Sequence, residues 1–302
     1  KGKISTYDLG FKLGPRINAA GRLGRSSFGT ELLTATDVAN AEKIANELDK
    51  FNQERRTIES YVLDSAEKQV TQEKLEKKLL IVYGEGWHEG VIGIIASRLK
   101  DKYHRPCVVI TISKGNAKGS GRSMKGIDLG NLVIAAKQAG IIESGGGHSM
   151  AAGLSLKEEK IKELENFFES QLSRNQSKLI DEKMFYVDSI ISSSGINLAV
   201  YDEIEMLGPF GSDNFEPNFV VKSSLLASVK QIGEKHLKCL IKTVEGDFIE
   251  GIAFRSLSTP LGDELQKNKG NTVSLLGKIK INEWGGRRTP QLHIEDIGEQ
   301  IK

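Results

Sequence analysis

The sequence predicts α/β plus β: a long connecting helix, an α/β domain with a mixed sheet, then a small β-barrel. Three observations carry this. No glycine or proline lies between Thr30 and Tyr83, and the apolar residues there recur near a helical period. From Lys78 to about Ser173, short apolar runs alternate with amphipathic stretches. From about Asn175 onward, short alternating runs follow one another with turns between them.

The chain has 302 residues, enough for two domains with separate cores. Hydrophobic residues make up 38%, which argues for packed cores rather than disorder. Lys and Arg number 42 against 40 Asp and Glu, so any nucleic-acid binding must rest on local patches. Cys107 and Cys239 sit far apart in apolar stretches and read as buried reduced thiols, which suits a cytoplasmic protein. No apolar stretch approaches membrane-spanning length, and no signal peptide is visible. The chain opens Lys1-Gly2-Lys3 and reads as a fragment whose natural N-terminal part is missing.

Residues 1–36 contain Gly14-Pro15-Arg16-Ile17-Asn18-Ala19-Ala20-Gly21-Arg22-Leu23-Gly24. The segment has no strong period of its own. Arg16, Asn18 and Arg22 between turn-forming glycines suit a loop facing phosphate or carboxylate. An irregular connector whose arginines cap helices fits equally well. Residues 37–77 form the connecting helix or helix pair. Val38, Ala41, Ala45, Leu48, Phe51, Ile58, Val62 and Val70 mark its apolar face, and Asp37 is its candidate N-cap. Its charges, Arg55 and Arg56 included, read as a solvated face.

Residues 78–174 begin with the buried-strand run Leu79-Leu80-Ile81-Val82-Tyr83. A helix over 91–102, a strand over 106–112, a helix over 129–139 and an amphipathic helix over 161–172 follow. Gly119-Ser120-Gly121-Arg122-Ser123 falls on the strand after Ile112 or at its end. Gly145-Gly146-Gly147-His148 reads as a loop. Consecutive glycines reach positive φ and can point successive N–H groups at an anion, with the histidine at its lip. A tight turn with a surface histidine is the plainer alternative. Trp87-His88-Glu89-Gly90 precedes a helix and is either a ligand contact or a turn and cap.

Residues 175–302 read as strands over 219–222, 225–232, 236–242, 248–254, 273–281 and 291–297. Lys278, Lys280, Arg287 and Arg288 surround Trp284 in a glycine-containing hairpin, an arrangement suited to gripping a single strand. An ordinary polar hairpin with a packed tryptophan is the alternative. In that case stacking passes to Phe210, Phe215 or Phe254.

Several of these segments together resemble one family. Residues 14–23 resemble the segment that closes the catalytic DHH domain of RecJ-type single-strand-specific exonucleases. Gly86-Trp87-His88-Glu89-Gly90-Val91-Ile92-Gly93, Gly121-Arg122-Ser123 and Gly145-Gly146-Gly147-His148-Ser149-Met150-Ala151-Ala152-Gly153 resemble the signatures of the DHH-associated domain. Leu207-Gly208-Pro209-Phe210-Gly211-Ser212-Asp213-Asn214-Phe215-Glu216-Pro217 and His236-Leu237-Lys238 resemble the RecJ oligonucleotide-binding domain. The resemblance implies the end of a DHH domain over 1–36, a DHH-associated substrate-binding domain over 78–174 and an OB-like barrel over 175–302.

It also implies a metal-dependent exodeoxyribonuclease, digesting single-stranded DNA 5′-to-3′ in recombination and repair, with Mn2+ or Mg2+ in the intact enzyme. The partners it suggests are a helicase or a single-strand-binding protein. One departure matters. The family holds its metals with an Asp-His-His triplet and paired acids, whereas no histidine here precedes His88 and no two are adjacent. No metal ligand is assigned to this chain, and the chain alone is expected to be inactive. The resemblance gives Arg122 and His148 roles as substrate-phosphate and transition-state contacts. It adds nucleic-acid contacts at Arg16, Asn18, Arg22, the amides of Gly145, Gly146 and Gly147, and the barrel cations with Trp284. A binding module without hydrolysis, or a small-nucleotide phosphodiesterase of the DHH family, are the alternatives.

Overall fold

The computed structural model describes residues 4–174, 185–211 and 213–299, with the side chain of Trp284 left out. The expected boundary near Asn175 lies outside the described residues. Contacts divide the chain into two units, Lys1–Glu182 and Lys183–Lys302.

The first unit opens on helices where the glycines suggested a loop. A π-helical turn spans Asp8–Leu13, α1 spans Gly14–Arg22 and α2 spans Ser27–Leu33. Pro15 stands in the first turn of α1, where its fixed φ fits and its missing N–H costs nothing. Gly29 lets α2 lie against α1, since a Cβ there would stand 3.0 Å from Ile17 Cγ2. Helix α3 runs Val38–Glu67, and the Asn40 N–H donates to Asp37 Oδ2 at 2.8 Å to cap it.

Arg55 corrects the expectation of a solvated face. It is 9% exposed, donates to Asn52 Oδ1 at 3.1 Å and pairs with the buried Glu59. Glu59 also pairs with Arg98. One buried carboxylate between two guanidinium groups is a tolerable charge inside the fold; unpaired it would not be.

After α4 (Gln72–Glu76) come β1 (Leu80–Glu85), α5 (Glu89–Tyr103), β2 (Cys107–Ser113) and β3 (Asn116–Arg122). Then follow α6 (Leu129–Gln138), β4 (Ser144–His148), β5 (Ala151–Lys157) and α7 (Ile161–Arg174). The sheet order is β1-β2-β3-β5-β4. Only β1 and β2 are parallel, so the sheet is mixed. Val62 and Ala66 of α3 join α5, Leu80, Val82 and Val109 in one core, while α6 and α7 join Val108, Ile110 and Leu154 in another. The two edges of the sheet differ. Beside β1, the Gln69 side-chain amide donates to the Tyr83 carbonyl at 2.6 Å and accepts from the Tyr83 N–H at 3.2 Å. Lys74 Nζ donates to the Ile81 carbonyl at 2.8 Å. Among the described residues the β4 strand is laddered to β5 alone.

In the second unit, β6 (Ser189–Ser192) and α8 (Leu198–Glu205) precede β7 (Phe219–Ile232), β8 (His236–Lys242) and β9 (Phe248–Ala253). Helix α9 (Pro260–Lys267), β10 (Thr272–Trp284) and β11 (Arg287–Gly298) complete it. The sheet order β10-β11-β9-β8-β7, closed by pairing of β10 with β7, makes a five-stranded OB-like barrel, and β6 extends β7 in parallel. The two strands expected over 219–222 and 225–232 are one strand, bent at Ser223 with φ 53°. Val221, Leu226, Leu237, Cys239, Ile241 and Leu292 fill the barrel. Both cysteines are buried and free. Among the described residues no helix is long and apolar enough to cross a membrane.

Candidate functional site

The glycine-histidine segment is a strand, β4, and not the expected anion nest. Residues 144–148 ladder against 151–155 of β5, and of the three glycines only Gly147 has positive φ. Gly145 and Gly147 serve close approach instead. A Cβ at Gly145 would stand 2.6 Å from Val133 of α6, and one at Gly147 would overlap β5. A Cβ at Gly130 of α6 would in turn stand 3.1 Å from the backbone of Gly147 and His148.

Strand register then fixes what faces what. Arg122 lies opposite Ala151, and Ala151 lies opposite His148. Residues opposed across antiparallel strands share a face, so Arg122, Ala151 and His148 form one row. Its ends are about 10 Å apart, twice the strand spacing. Ser120, Gly153 and Gly146 form the next row. Gly146 and Gly153 are exposed, and a Cβ at Gly146 would meet nothing within 4 Å. Neither has positive φ. Packing within the chain therefore does not call for glycine at these two positions. They leave a flat floor.

Helices build the wall. Gly93 brings α5 close enough that a Cβ would stand 3.0 Å from both Arg122 Nη2 and Ser120 Oγ. Gly90 admits the Arg22 carbonyl so closely that a Cβ would overlap it, and Arg22 Nη1 donates to the Gly90 carbonyl at 3.1 Å. The result is an open cavity of about 510 Å3 lined by Asn18, Gly21, Arg22, Glu89, Gly90, Gly93, Ser120 and Arg122. Asn18, Arg22 and Arg122 thus line one cavity. His148 shares the face of Arg122 but does not line the cavity. Arg16 does not line it either: its Nε donates to Asp49 Oδ1 at 2.8 Å and its Nη1 to the Lys12 carbonyl at 2.8 Å. His88 is the N-cap of α5, its Nδ1 accepting from the Gly90 N–H at 3.1 Å.

The charge in the cavity is one-sided. Arg122 donates to Ser120 Oγ at 3.2 Å and to the Gly121 carbonyl at 2.8 Å, and has no ion pair among the described residues. Burial, then the nearby Arg22, lowers its pKa from the ordinary guanidinium value, a shift that leaves an arginine charged. Arg22 likewise has no carboxylate partner among the described residues. Glu89, the one acid in the lining, sits 2.9 Å from Lys118 Nζ. Two guanidinium groups in one cavity, with no counter-ion among the described residues and a sheet face of small residues beside them, make a receptor for an anion. Sequence reasoning alone does not pick out Ser120, Gly93 or Gly153 as parts of this site. For Gly153 the signal is the small residues Ala151, Gly153 and Ser155 at alternate positions of β5.

The barrel hairpin departs from expectation. Lys278 pairs with Glu295 at 3.2 Å, Lys280 with Glu216 at 2.5 Å, and Arg288 with Asp202 at 2.7 Å. Of the four expected cations, only Arg287 has no ion pair among the described residues. Residues 183–302 carry 14 Lys and Arg against 16 Asp and Glu, so the unit as a whole is not basic. The Trp284 side chain lies outside the described residues. An aromatic group stands on the barrel wall instead. Phe254, 53% exposed, meets His236 edge-on at 5.3 Å and His293 at 4.9 Å.

A metal-dependent hydrolase needs carboxylates or imidazoles that clamp its ions. Among the described residues no group of three or more His, Cys, Asp or Glu is gathered in this way. The described residues do not fit a two-metal centre.

Known proteins share this architecture. The DHHA1 domain profile matches residues 76–174, and the RecJ OB domain profile matches residues 187–296. The single-stranded-DNA-specific exonuclease RecJ of Bacillus subtilis strain 168 is 34% identical over 98% of this chain and 37% of its own length. The protein of the same name from Escherichia coli K12 is 36% identical over 98% of this chain and 52% of its own length. The chain thus spans about half the length of such relatives, or less. The crystal structure of RecJ in complex with Mg2+ from Thermus thermophilus superposes with TM-score 0.81 at 24% identity, covering 99% of this chain and 44% of that one. That likeness shows the fold.

Proposed function

Because this chain belongs to the RecJ family, we propose that it is the substrate-binding part of a single-stranded-DNA-specific exonuclease. The intact enzyme hydrolyses DNA 5′-to-3′ in recombination and repair. It acts in the cytoplasm, with Mn2+ or Mg2+ held by residues other than the described ones. A helicase or a single-strand-binding protein is the expected kind of partner.

One observation carries this reading: the guanidinium groups of Arg22 and Arg122, neither with a carboxylate partner among the described residues, line one cavity beside the sheet face left open by Gly146 and Gly153. Arg122 binds the phosphate of the terminal nucleotide and stabilises charge that develops on it in the transition state. Arg22 and Asn18 flank the same phosphate. The sugar lies along Ser120, Gly153 and Gly146, and His148 contacts the far side of the nucleotide. The amides of Gly145 to Gly147 are strand amides, so their contribution is limited to those not laddered to β5. The barrel guides the strand, with Phe254 the supported stacking group and Arg287 its cation.

The domain reading follows from the same proposal. Residues 1–36 close a catalytic domain, 37–77 connect, 78–174 bind the terminal nucleotide and 175–302 hold the strand. Exposure of Tyr7, Leu9, Phe11 and Leu13 supports the first assignment, since these side chains suit burial against the remainder of that domain.

The test compares this chain with the intact protein on a 5′-phosphorylated single-stranded oligonucleotide with manganese. The expected outcome is digestion by the intact protein only, and binding by both that Arg122→Ala weakens. Chelator-sensitive digestion by this chain alone, or oligonucleotide binding indifferent to Arg122→Ala, overturns the proposal.

A further inference from the structure

Beyond that reading, the second unit presents a surface of opposite chemistry. From Met184 to Val221 the sequence holds no Lys or Arg and six acids. Within it, Met206 is 78% exposed, Leu207 61% and Phe215 81%. Scattered exposed apolar residues are ordinary, but these stand on a braced loop. Asn214 Nδ2 donates to the Leu207 carbonyl and to the Pro209 carbonyl, each at 3.0 Å, and Gly211 bridges Asn214. Next to Phe215, the chain at 217–218 is tied back to 186–188. The Asn218 N–H donates to Asp188 Oδ2 at 2.8 Å, and the Asp188 N–H donates to the Asn218 carbonyl at 2.9 Å. A braced loop that holds large apolar side chains in water has already met the entropy cost of ordering that binding would otherwise impose.

Charge selects the occupant. Asp202 and Glu216 are paired with Arg288 and Lys280, but Glu203 and Asp213 have no ion pair among the described residues. Acids around the loop repel a phosphate backbone and attract cations.

We propose that the surface around Leu207 and Phe215 is a docking surface for another protein, recognising a segment with a large apolar anchor flanked by lysine or arginine. Leu207 and Phe215 grip the anchor. Glu203 and Asp213 meet the flanking cations.

The experiment uses the full chain and a labelled model peptide of lysines around a Leu-Phe core, with a second peptide carrying glutamate for each lysine. Fluorescence anisotropy is expected to show saturable binding of the first peptide only. Leu207→Ser with Phe215→Ser should weaken it about ten-fold or more, the scale on which loss of an anchor is felt. Glu203→Gln with Asp213→Asn should weaken it several-fold; asparagine is chosen because Asp213 has φ 65°, which it tolerates. Melting temperatures report that the variants fold. Hydroxyl-radical oxidation of Met206 should be rapid in the free chain and slow with the peptide bound. Equal peptide affinity in all variants overturns the proposal. So does slow oxidation of Met206 in the free chain, which would mean the patch is already covered. A loss of oligonucleotide affinity in the Phe215 variant would reassign the loop to nucleic acid. None of these outcomes bears on the Arg122 cavity, so failure here leaves the proposed function standing.

Discussion

The cavity of the first unit and the hairpin of the second place their cations in largely opposite ways. In the first, Arg22 and Arg122 line one cavity and neither meets a carboxylate among the described residues. In the second, Lys278, Lys280 and Arg288 each meet one. A count of basic residues does not distinguish the two; the location of the nearest acid does. A cation that lacks a partner is poised for an external anion, whereas a paired one must first give up its own. The helix-walled cavity is where an anion gains most, and the barrel hairpin is a weak electrostatic site despite its sequence.

Removal of Arg122 is the strongest way to break this comparison. In the intact enzyme Arg122→Ala should lower turnover at saturating DNA by about 10²–10³, the usual cost of losing a preorganised donor. Steady-state kinetics beside a melting curve checks it, and a near-normal kcat would remove Arg122 from the chemistry. A smaller effect is expected at Gly90. The added methyl of Gly90→Ala overlaps the Arg22 carbonyl, and overpacking of this kind costs roughly 1–3 kcal/mol. Urea unfolding should show that loss, together with weaker oligonucleotide binding, because Arg22 is displaced.

Substitutions in the barrel should matter less. Arg288→Ala breaks an exposed pair with Asp202, so the melting temperature should barely move. The salt dependence of oligonucleotide affinity should move by less for Arg288→Ala than for Arg287→Ala, because Arg287 is the hairpin cation without an acid. Equal slopes would erase the distinction.

The smallest effect is one of pH. Burial, then Lys280 and Lys278, lowers the His293 pKa from 6.5 to about 4. The folded barrel therefore keeps His293 neutral where the unfolded chain protonates it. Its contribution is whole above pH 6.5, declines as pH falls, and is gone below about 4. His293→Gln should flatten the melting temperature across that window relative to wild type.

Much of the fold is legible in the sequence because period and capping are local. Asp37 announces α3, and apolar runs announce β1 and β2. The departures share a physical cause. Glycines at 21, 29, 145 and 147 suggest freedom of the backbone, while most of them record the approach of a neighbour. Ile17 stands over Gly29, and Val133 over Gly145. That neighbour is set by tertiary packing, which the local pattern does not contain. Arg122 is legible because its motif is compact. The neutralisation of the barrel cations is not, because their partners are remote in sequence. Arg288 meets Asp202 from 86 residues away. Arg55 departs the other way: its acid, Glu59, is only one turn along, but burial of both depends on α5.

The Gln69 amide beside Tyr83 imitates one link of a neighbouring strand. In the vocabulary of polymer chemistry, it turns a bifunctional monomer into a monofunctional one. A sheet open at both edges can add units without limit, which is the arithmetic of a fibre. With β1 stoppered by Gln69 and Lys74, joining by strand addition is left to β4, and two such molecules that meet edge to edge leave no free end. Two side chains thereby set the degree of polymerisation open to this sheet at two.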